Sequence, residues 1–544
     1  MPHPFRRLFG EKGGRAQVSP SPIRETHQWR RRDYLAAAFL FCATATFVAW
    51  QNSRVAVLWD LGYLLDTSWR IALGQMPYRD FPLAHAPLTF LIQTGLMRVA
   101  GRHFFLVIAY AATAGGLASV LTWRILLRIA RGSAIFGPVT WLMALLMAAP
   151  LAVIGIYSIY PHPIYDCDCI LAILLSILLL IRLDPHPAPG AEPEATPQST
   201  QVLLTSGEKF KDCHPERSAA LRRGTEGSAV VLLSRLVLSG VVQPIRLAPL
   251  AAGAATVLPL FFKQNIGLPF LAVVAAGILI LFAAVLQQTR SLLSALRSQP
   301  ALILTGILAA LLAGLAAIAA TAGLGNYIHW TIQFAAQRRM PGWASMLTVY
   351  NQAALAWMLP ALAAGLILCH TPIIGRLWAR IIAFCLVAAP FAGTVIFLFN
   401  NDEADERADT LLTLWPLLLL AALLIALFEL RRGVTLQRLV PFFILAAIHG
   451  ALLSQQLWGS TYALWPLLMV LAAFVLGTLP PPARPVAMAA AAVISATLLV
   501  CGTLYSISRE RLSYVQIPDA PLQRSSIPAM RGIATPGPFL SDFD

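Results

Sequence analysis

Carboxylates gather in three short stretches that lie between long apolar segments. Asp60, Asp66 and Asp80 occupy the first stretch and Asp166 and Asp168 the second, and a third, residues 402–409, holds five acidic residues. Ionisable groups cost free energy in or near lipid, so in an apolar chain they mark helix ends or a working site. A carboxylate can accept a proton from an attacking hydroxyl or help to bind a cation.

Asp60 has two open interpretations. It follows the apolar residues 55–59 directly and precedes a stretch whose apolar positions suit an amphipathic helix at a membrane surface. An Asp before such a helix is usually an N-cap, whose side chain accepts a hydrogen bond from a backbone N–H. The same position would also suit a general base. We take Asp60 as the candidate catalytic residue and keep the cap as the alternative.

Lys263 differs from the other three lysines because it alone lies between two apolar helices, in the segment LFFKQNIGLPF. Arginine carries most of the positive charge elsewhere in the chain. A compact ammonium at a membrane surface is suited to bind a phosphate. The alternative is a lysine that extends its ammonium to the surface without a ligand.

Weaker candidates lie in other loops. Arg338 and Arg339, in QFAAQRRMPGW, could bind a diphosphate through their planar forks or belong to a solvated loop. His85 and His162 could contact substrate or be ordinary interfacial histidines. The acidic run 402–409 lacks the spacing of a calcium loop, so we expect a solvated linker and assign no metal ligand there. A divalent cation elsewhere is left open.

The elements that must position these residues are membrane helices. The chain has 544 residues, of which 58% are hydrophobic and only 12% charged, well below the quarter that is typical of soluble proteins. Long apolar segments predict an all-α polytopic bundle of about thirteen transmembrane helices. They lie near residues 34–52, 103–123, 134–158, 163–181, 246–262, 265–286, 301–323, 352–370, 381–400, 411–429, 439–455, 461–479 and 485–506.

The orientation depends on residues 84–101, which are apolar enough to cross the membrane or to lie on its surface. If they lie flat, 27 of the 40 lysines and arginines face the cytoplasm, and if they cross, 18 do. The positive-inside rule favours the first arrangement. We therefore predict a plasma (inner) membrane protein with a cytoplasmic N-terminus and an outer C-terminus. The net charge of +15 is thus an orientation signal, and no nucleic-acid partner is expected.

This threading divides the chain into five parts. Residues 1–33 form a cytoplasmic segment, and 34–182 hold helices 1–4 together with an outer loop, 53–102, that carries juxtamembrane helices. Residues 183–245 are rich in Pro, Ala, Glu and Arg without periodicity, which predicts a mostly disordered cytoplasmic loop. Residues 246–506 hold helices 5–13, and 507–544 form a short outer tail.

The first outer loop resembles that of a known superfamily. Asp60, Gly62 and Tyr63, then Trp69 and Gly74, then residues 77–80 (PYRD) and 85–88 (HAPL), resemble the corresponding loop of the C-type (GT-C) membrane glycosyltransferases. These include dolichyl-phosphate-mannose protein mannosyltransferases and bacterial lipid A and lipopolysaccharide sugar transferases. The resemblance implies transfer of a sugar from a polyprenyl-phosphate donor to a glycan, lipid or protein hydroxyl on the outer side.

The resemblance also implies roles for individual residues. Asp60 would contact the acceptor or act as base, Asp166 or Asp168 would supply the second outer carboxylate, and Lys263 would help to hold the lipid phosphate. We add Asp80, His85, Arg338 and Arg339 as candidate substrate-binding residues. Asp60 is followed by Leu61, where many members have a second acidic residue.

Two other classes of protein remain as alternatives. A flippase or transporter of lipid-linked sugars would also place charges in a polytopic bundle, but we find no convincing internal repeat, and the candidate charges lie at a membrane boundary rather than midway. An inactive, truncated member of the superfamily is the second alternative.

Overall fold

The computed structural model describes residues 29–52, 58–133, 135–158, 162–184, 244–334, 336–337, 347–400, 413–453, 463–506, 522–528 and 534–536. The chain forms two compact units. The first comprises residues 1–184 and 248–544, and the second comprises residues 185–247, of which only 244–247 are described. The predicted disordered loop therefore lies almost wholly outside the described residues.

The described chain is a polytopic all-α membrane protein. Its first seven helices are α1 (Arg31–Asn52), α2 (Leu58–Ala72), α3 (Leu88–Ala100), α4 (Phe104–Gly132), α5 (Thr140–Ala148), α6 (Leu151–Ile154) and α7 (Tyr165–Ile181). The next six are α8 (Pro244–Ala255), α9 (Leu258–Phe262), α10 (Gln264–Thr289), α11 (Leu292–Leu296), α12 (Gln299–Thr321) and α13 (Leu324–Ile328).

Six further helices complete the bundle. They are α14 (Leu355–Cys369), α15 (Leu377–Asn400), α16 (Leu414–Leu430), α17 (Leu436–Leu452), α18 (Trp465–Gly477) and α19 (Arg484–Ser506). Single turns of 3₁₀-helix cover Gly137–Val139, Thr348–Tyr350, Pro372–Gly375 and Pro481–Ala483, and a π-helical turn covers His329–Phe334. In the tail, strands β1 (Leu522–Arg524) and β2 (Ala534–Pro536) pair antiparallel, with Gln523 opposite Thr535.

Each of the thirteen predicted apolar segments contains a helix or a pair of short helices. Six helices, α1, α4, α10, α12, α15 and α19, are long and apolar enough to cross a membrane, and the others are shorter. Proline and glycine account for several short pieces: Pro150 separates α5 from α6, for example, because proline interrupts the backbone hydrogen bonding of a helix. Thirteen crossings remain a prediction.

The first loop carries the two juxtamembrane helices that the sequence predicts. The first of them, α2, contains Asp60 and has an apolar side that buries Leu61 and Leu64. With 13 residues, α3 is about 20 Å long, shorter than a bilayer core of about 30 Å, as is α18 of the same length. That residues 84–101 lie at the surface stays a prediction.

Two glycines allow α8 and α12 to pack backbone against backbone. A Cβ atom on Gly253 would lie 2.1 Å from the Ile303 carbonyl oxygen, and one on Gly306 would lie 2.2 Å from the Leu250 carbonyl oxygen. Small residues at such crossings are typical of membrane helices. The hydrophobic effect does not drive helices together within lipid, so close packing must supply the attraction. The contact fixes the helix that leads into Lys263.

Lys263 lies at the junction between α9 and α10. Its backbone is extended (φ −147°, ψ 107°), which breaks the helical path between Phe262 and Gln264. Gly267 makes the junction compact, since a Cβ there would lie 2.3 Å from the Leu260 backbone nitrogen. The lysine therefore projects from a break between helices, next to the N-terminus of the 26-residue α10.

Candidate functional site

A buried ion pair joins two of the predicted site residues. The Lys263 ammonium lies 3.2 Å from each carboxylate oxygen of Asp166, which belongs to the first turn of α7. The two side chains are only 8% and 3% exposed. A buried ion pair is costly to desolvate and costlier to break, because removing one partner leaves the other charge uncompensated. Lys263 therefore does not extend unpaired to the membrane surface, which was the alternative reading of its position.

Tyr165 brings His85 to the same place. The His85 imidazole stacks on the Tyr165 ring with centroids 4.0 Å apart and planes inclined by 21°. The Lys263 ammonium lies 4.1 Å from the centroid of the same ring, within range of a cation–π interaction. One phenol ring thus contacts both the predicted histidine and the predicted lysine.

The first loop is held to this cluster through His85. The Tyr63 hydroxyl lies 3.2 Å from His85 Nδ1, and the Tyr78 hydroxyl donates to the His85 carbonyl oxygen at 2.7 Å. Burial raises the pKa of Tyr63 to about 12 and that of Tyr78 well above its usual value. Both hydroxyls consequently keep their protons at neutral pH, and when Tyr63 donates to Nδ1, a neutral His85 carries its ring proton on Nε2.

A second connection joins the loop to the start of α10. The side-chain amide of Gln264 donates to the carbonyl oxygens of Ala84 and Thr331, each at 3.1 Å. The first backbone N–H groups of α10 lie beside it, where an α-helix has no acceptors of its own and carries the positive end of its dipole. His85, Lys263 and this helix end therefore belong to one connected region, which we call the Tyr165 cluster: Tyr63, His85, Tyr165, Asp166, Lys263 and Gln264.

Asp168 is buried beside the cluster and is held by three hydroxyl groups. Its carboxylate accepts hydrogen bonds from Tyr157 at 2.6 Å and from Thr89 and Tyr110 at 2.7 Å each. Thr89 belongs to α3 and Tyr110 to α4, so Asp168 connects the first loop with two helices. A carboxylate with three donors and 1% exposure is suited to fix these elements rather than to exchange ligands.

Asp80 forms its contacts within its own loop. Its carboxylate pairs with Arg79 at 2.9 Å and accepts a hydrogen bond from the Met76 backbone N–H at 2.7 Å. The hydrogen bond from Arg79 holds the pKa of the Asp80 carboxyl below its usual value, with a further contribution from the Met76 backbone N–H. These contacts stabilise the turn that precedes His85, and a substrate contact by Asp80 stays a prediction.

Several predicted residues lie outside what the structure describes. Arg338, Arg339 and the acidic run 402–409 fall in undescribed segments, as does the side chain of Asp60. The backbone of Asp60 belongs to the first turn of α2, which begins at Leu58, so Asp60 is the third helical residue and does not precede the helix as an N-cap would. Within the described residues, no group of three or more His, Cys, Asp or Glu is placed to hold a metal ion.

The sequence reasoning missed the aromatic hydroxyls of the site. Tyr63 lies beside His85, Tyr165 contacts both His85 and Lys263, and Tyr110 and Tyr157 bind Asp168. The sequence could have indicated two of them as site residues. Tyr165 immediately precedes Asp166, and Tyr63 lies three residues after Asp60 on the same helix. The other two are distant in sequence and have no such neighbour.

Comparison with known proteins returns one solved structure. No family model and no curated protein matches the chain. The crystal structure of ArnT from Cupriavidus metallidurans bound to undecaprenyl phosphate is similar over 80% of this chain and 77% of that one, at 14% identity and a TM-score of 0.35.

Proposed function

We propose that the protein is a membrane glycosyltransferase that moves a sugar from a polyprenyl-phosphate donor to an acceptor hydroxyl. The observation that supports this most is the Tyr165 cluster, in which a buried lysine, its partner carboxylate and a histidine meet against the loop that contains Asp60. Such a group of ionisable and aromatic side chains, at the ends of apolar helices, is costly to build and marks a functional site.

The proposed reaction assigns a separate role to each end of the site. The acceptor oxygen attacks the anomeric carbon while the bond from that carbon to the phosphate oxygen breaks. The Asp60 carboxylate takes the proton of the acceptor hydroxyl. The leaving lipid phosphate gains negative charge, which Lys263 and the N-terminal N–H groups of α10 would stabilise.

Asp60 is favoured as the base by its position on α2. Residues three apart share one face of a helix, so position 60 lies on the face of α2 that carries Tyr63, whose hydroxyl meets His85. Asp66, in contrast, is exposed and pairs with Arg70 at 2.8 Å on the same helix. The two aspartates therefore offer a test residue and a matched control.

Asp166 and Asp168 are proposed as positioning residues. Asp166 holds the Lys263 ammonium, and Asp168 holds the three hydroxyls that join α3, α4 and the segment before α7. In the orientation favoured by the distribution of lysine and arginine, this region faces the outer side of the inner membrane, the N-terminus is cytoplasmic and the C-terminus is outside.

The deciding experiment replaces Asp60 with Asn and measures sugar transfer by the purified protein from radiolabelled polyprenyl-phosphate sugars. Asn keeps the size of Asp but cannot accept the proton, so we expect transfer to fall by about 10²- to 10⁴-fold while donor binding persists. Asp66→Asn, on the same helix, should leave transfer within about twofold of the parent, since an exposed ion pair contributes about 1 kcal/mol or less. Nearly parental turnover of the Asp60→Asn protein would contradict the assignment of Asp60 as the general base.

A further inference from the structure

A second charged region lies at the opposite ends of α4 and α7 from the Tyr165 cluster. Arg124, Arg128 and Arg131 follow one another at helical spacing along the last turns of α4, so they share one face. Arg182 follows the end of α7, and the start of α1 supplies two more arginines, Arg30 just before the helix and Arg32 in its first turn. We call this group the basic cluster: Arg30, Arg32, Arg124, Arg128, Arg131 and Arg182.

The charges of the basic cluster act on one another and on a nearby carboxylate. The Arg124 guanidinium interacts electrostatically with the other three arginines at the ends of α4 and α7 and with Asp33, and Arg131 interacts with Asp33, Arg32 and Arg30. Two carboxylates accompany them in the described part of the chain, those of Asp33 and Asp184. Asp33 accepts hydrogen bonds from the Arg30 backbone N–H and the Trp141 indole, each at 3.0 Å.

The second carboxylate, that of Asp184, interacts electrostatically with Arg128. Asp184 accepts a hydrogen bond from the Gln437 backbone N–H at 2.7 Å, and burial raises the pKa of its carboxyl above the usual value. Six guanidiniums thus face two carboxylates, and every cation is an arginine, whose planar fork matches phosphate oxygens better than an ammonium does. An anion at this place would relieve repulsion among half-buried cations.

Arg124 has donor capacity that the described residues do not use. Arg128 donates to the carbonyl oxygens of Ile181 and Asp184, at 2.7 and 3.2 Å. Arg124 instead lies 4.4 Å from the centroid of the Trp29 ring, and its buried Nη1 has no hydrogen-bond acceptor among the residues that the structure describes. An unsatisfied buried guanidinium N–H is costly, and a phosphate oxygen is the strongest acceptor that could satisfy it.

An apolar stripe begins beside the basic cluster and continues along α1. Tyr34, Leu35 and Phe39, in the first turns of α1 after Arg32 and the buried Asp33, are each more than 60% exposed. The same face of α1 continues through Phe39, Cys42, Ala43, Thr46, Phe47 and Trp50, which follow one another at helical spacing. Basic side chains at the end of an apolar helix face are the arrangement that anionic lipids recognise, with the headgroup on the cations and the acyl chain along the helix.

We propose that the basic cluster, with the apolar stripe of α1, binds an anionic phospholipid through its headgroup phosphate. The site lies at the opposite end of α4 and α7 from the Tyr165 cluster and does not depend on the proposed sugar transfer. In the predicted orientation it faces the cytoplasmic leaflet. Charge selects an anionic headgroup over a zwitterionic one, and the apolar stripe selects a lipid over a free phosphate ion.

The test measures thermal protection of the full-length detergent-purified protein by phosphatidylglycerol, phosphatidylcholine or inorganic phosphate. Arg124 is the residue to change, since it makes no protein hydrogen bond among those described and Arg124→Gln should fold. We expect phosphatidylglycerol to raise the melting temperature of the parent, and the half-maximal lipid concentration to rise at least tenfold in Arg124→Gln, the effect of losing one charge-assisted contact. The exposed Arg297→Gln is the matched control and should behave as the parent.

Three outcomes would overturn the proposal. Equal protection by phosphatidylcholine would show that the site does not require an anionic headgroup. Equal protection by inorganic phosphate would show that it binds a free anion rather than a lipid. An Arg124→Gln protein that responds to phosphatidylglycerol as the parent does would show that the lipid does not bind at the basic cluster. Native mass spectrometry of phosphatidylglycerol retained by the parent and Arg124→Gln gives an independent measurement of the same difference.

Discussion

Replacing Lys263 with Met should destabilise the protein strongly. The Lys263 ammonium and the Asp166 carboxylate are 3.2 Å apart, and at an effective dielectric constant of about 20 two unit charges at that distance attract by about 5 kcal/mol. Desolvation offsets much of this attraction while both partners are present. In Lys263→Met, however, a carboxylate that is 3% exposed loses its cation, and we expect the free energy of unfolding to fall by about 3–5 kcal/mol.

The double variant Lys263→Met with Asp166→Asn separates stability from ligand binding. Removing both charges removes the uncompensated carboxylate, so its stability should return to within about 1–2 kcal/mol of the parent. Its binding of a polyprenyl-phosphate sugar should still be at least about tenfold weaker, because the cation that meets the phosphate is gone. Unfolding in mixed micelles gives the stability, and equilibrium binding of labelled donor gives the affinity.

The pair Arg432–Glu429 provides the control, because its cation is exposed and a second cation, Arg438, lies 3.8 Å from the Glu429 carboxylate. Its atoms are closer, at 2.7 Å, but the Arg432 side chain is 60% exposed, so Arg432→Met should cost less than about 1 kcal/mol. Parental stability of Lys263→Met would refute the argument from burial. A double variant that is stable and binds donor as tightly as the parent would refute the role of Lys263 in the proposed function while leaving the ion pair intact as a structural feature.

Three further predictions concern the hydroxyl network, helix packing and orientation. Asp168→Asn should lower the free energy of unfolding by about 2–3 kcal/mol, because one amide oxygen cannot accept from three buried hydroxyls, and chemical unfolding measures it. Gly306→Ala should cost more than about 2 kcal/mol, since its Cβ would meet a carbonyl oxygen of the neighbouring helix, whereas Gly325→Ala, with no atom within 4 Å, should cost less than about 1 kcal/mol. A cysteine at Ser513 should react with an impermeant thiol reagent in intact cells, and one at Ser199 should not.

The helices could be predicted from sequence because lipid constrains them simply. A membrane helix must satisfy its own backbone and remain apolar over its length, so each predicted segment coincides with described helix. The same reasoning finds the juxtamembrane helices of the first loop and the position of Lys263 between two helices. The Pro and Gly breaks at Pro150 and before α10 were harder to anticipate, since such residues are common inside membrane helices.

The partners within the site could not be predicted in this way. Asp166 and Lys263 are 97 residues apart, and neither periodicity nor charge order specifies that their side chains meet. The sequence therefore left open whether Lys263 has a protein partner, and the structure shows that Asp166 is that partner. Asp168 looks equivalent to Asp166 in sequence, yet the two differ completely in their contacts, one held by a cation and the other by three hydroxyls.

The pairing of Lys263 with Asp166 also bears on how the proposed reaction would turn over. The donor phosphate is a diester with one negative charge, whereas the product lipid phosphate is a monoester that carries up to two. A bare buried ammonium would bind the product more tightly than the donor. Paired with Asp166, the ammonium can still donate to a phosphate oxygen, but the pair carries no net charge, so the second negative charge of the product adds little attraction at Lys263. Asp166 thus holds the cation in place while limiting how tightly the spent lipid phosphate is held, which favours its release.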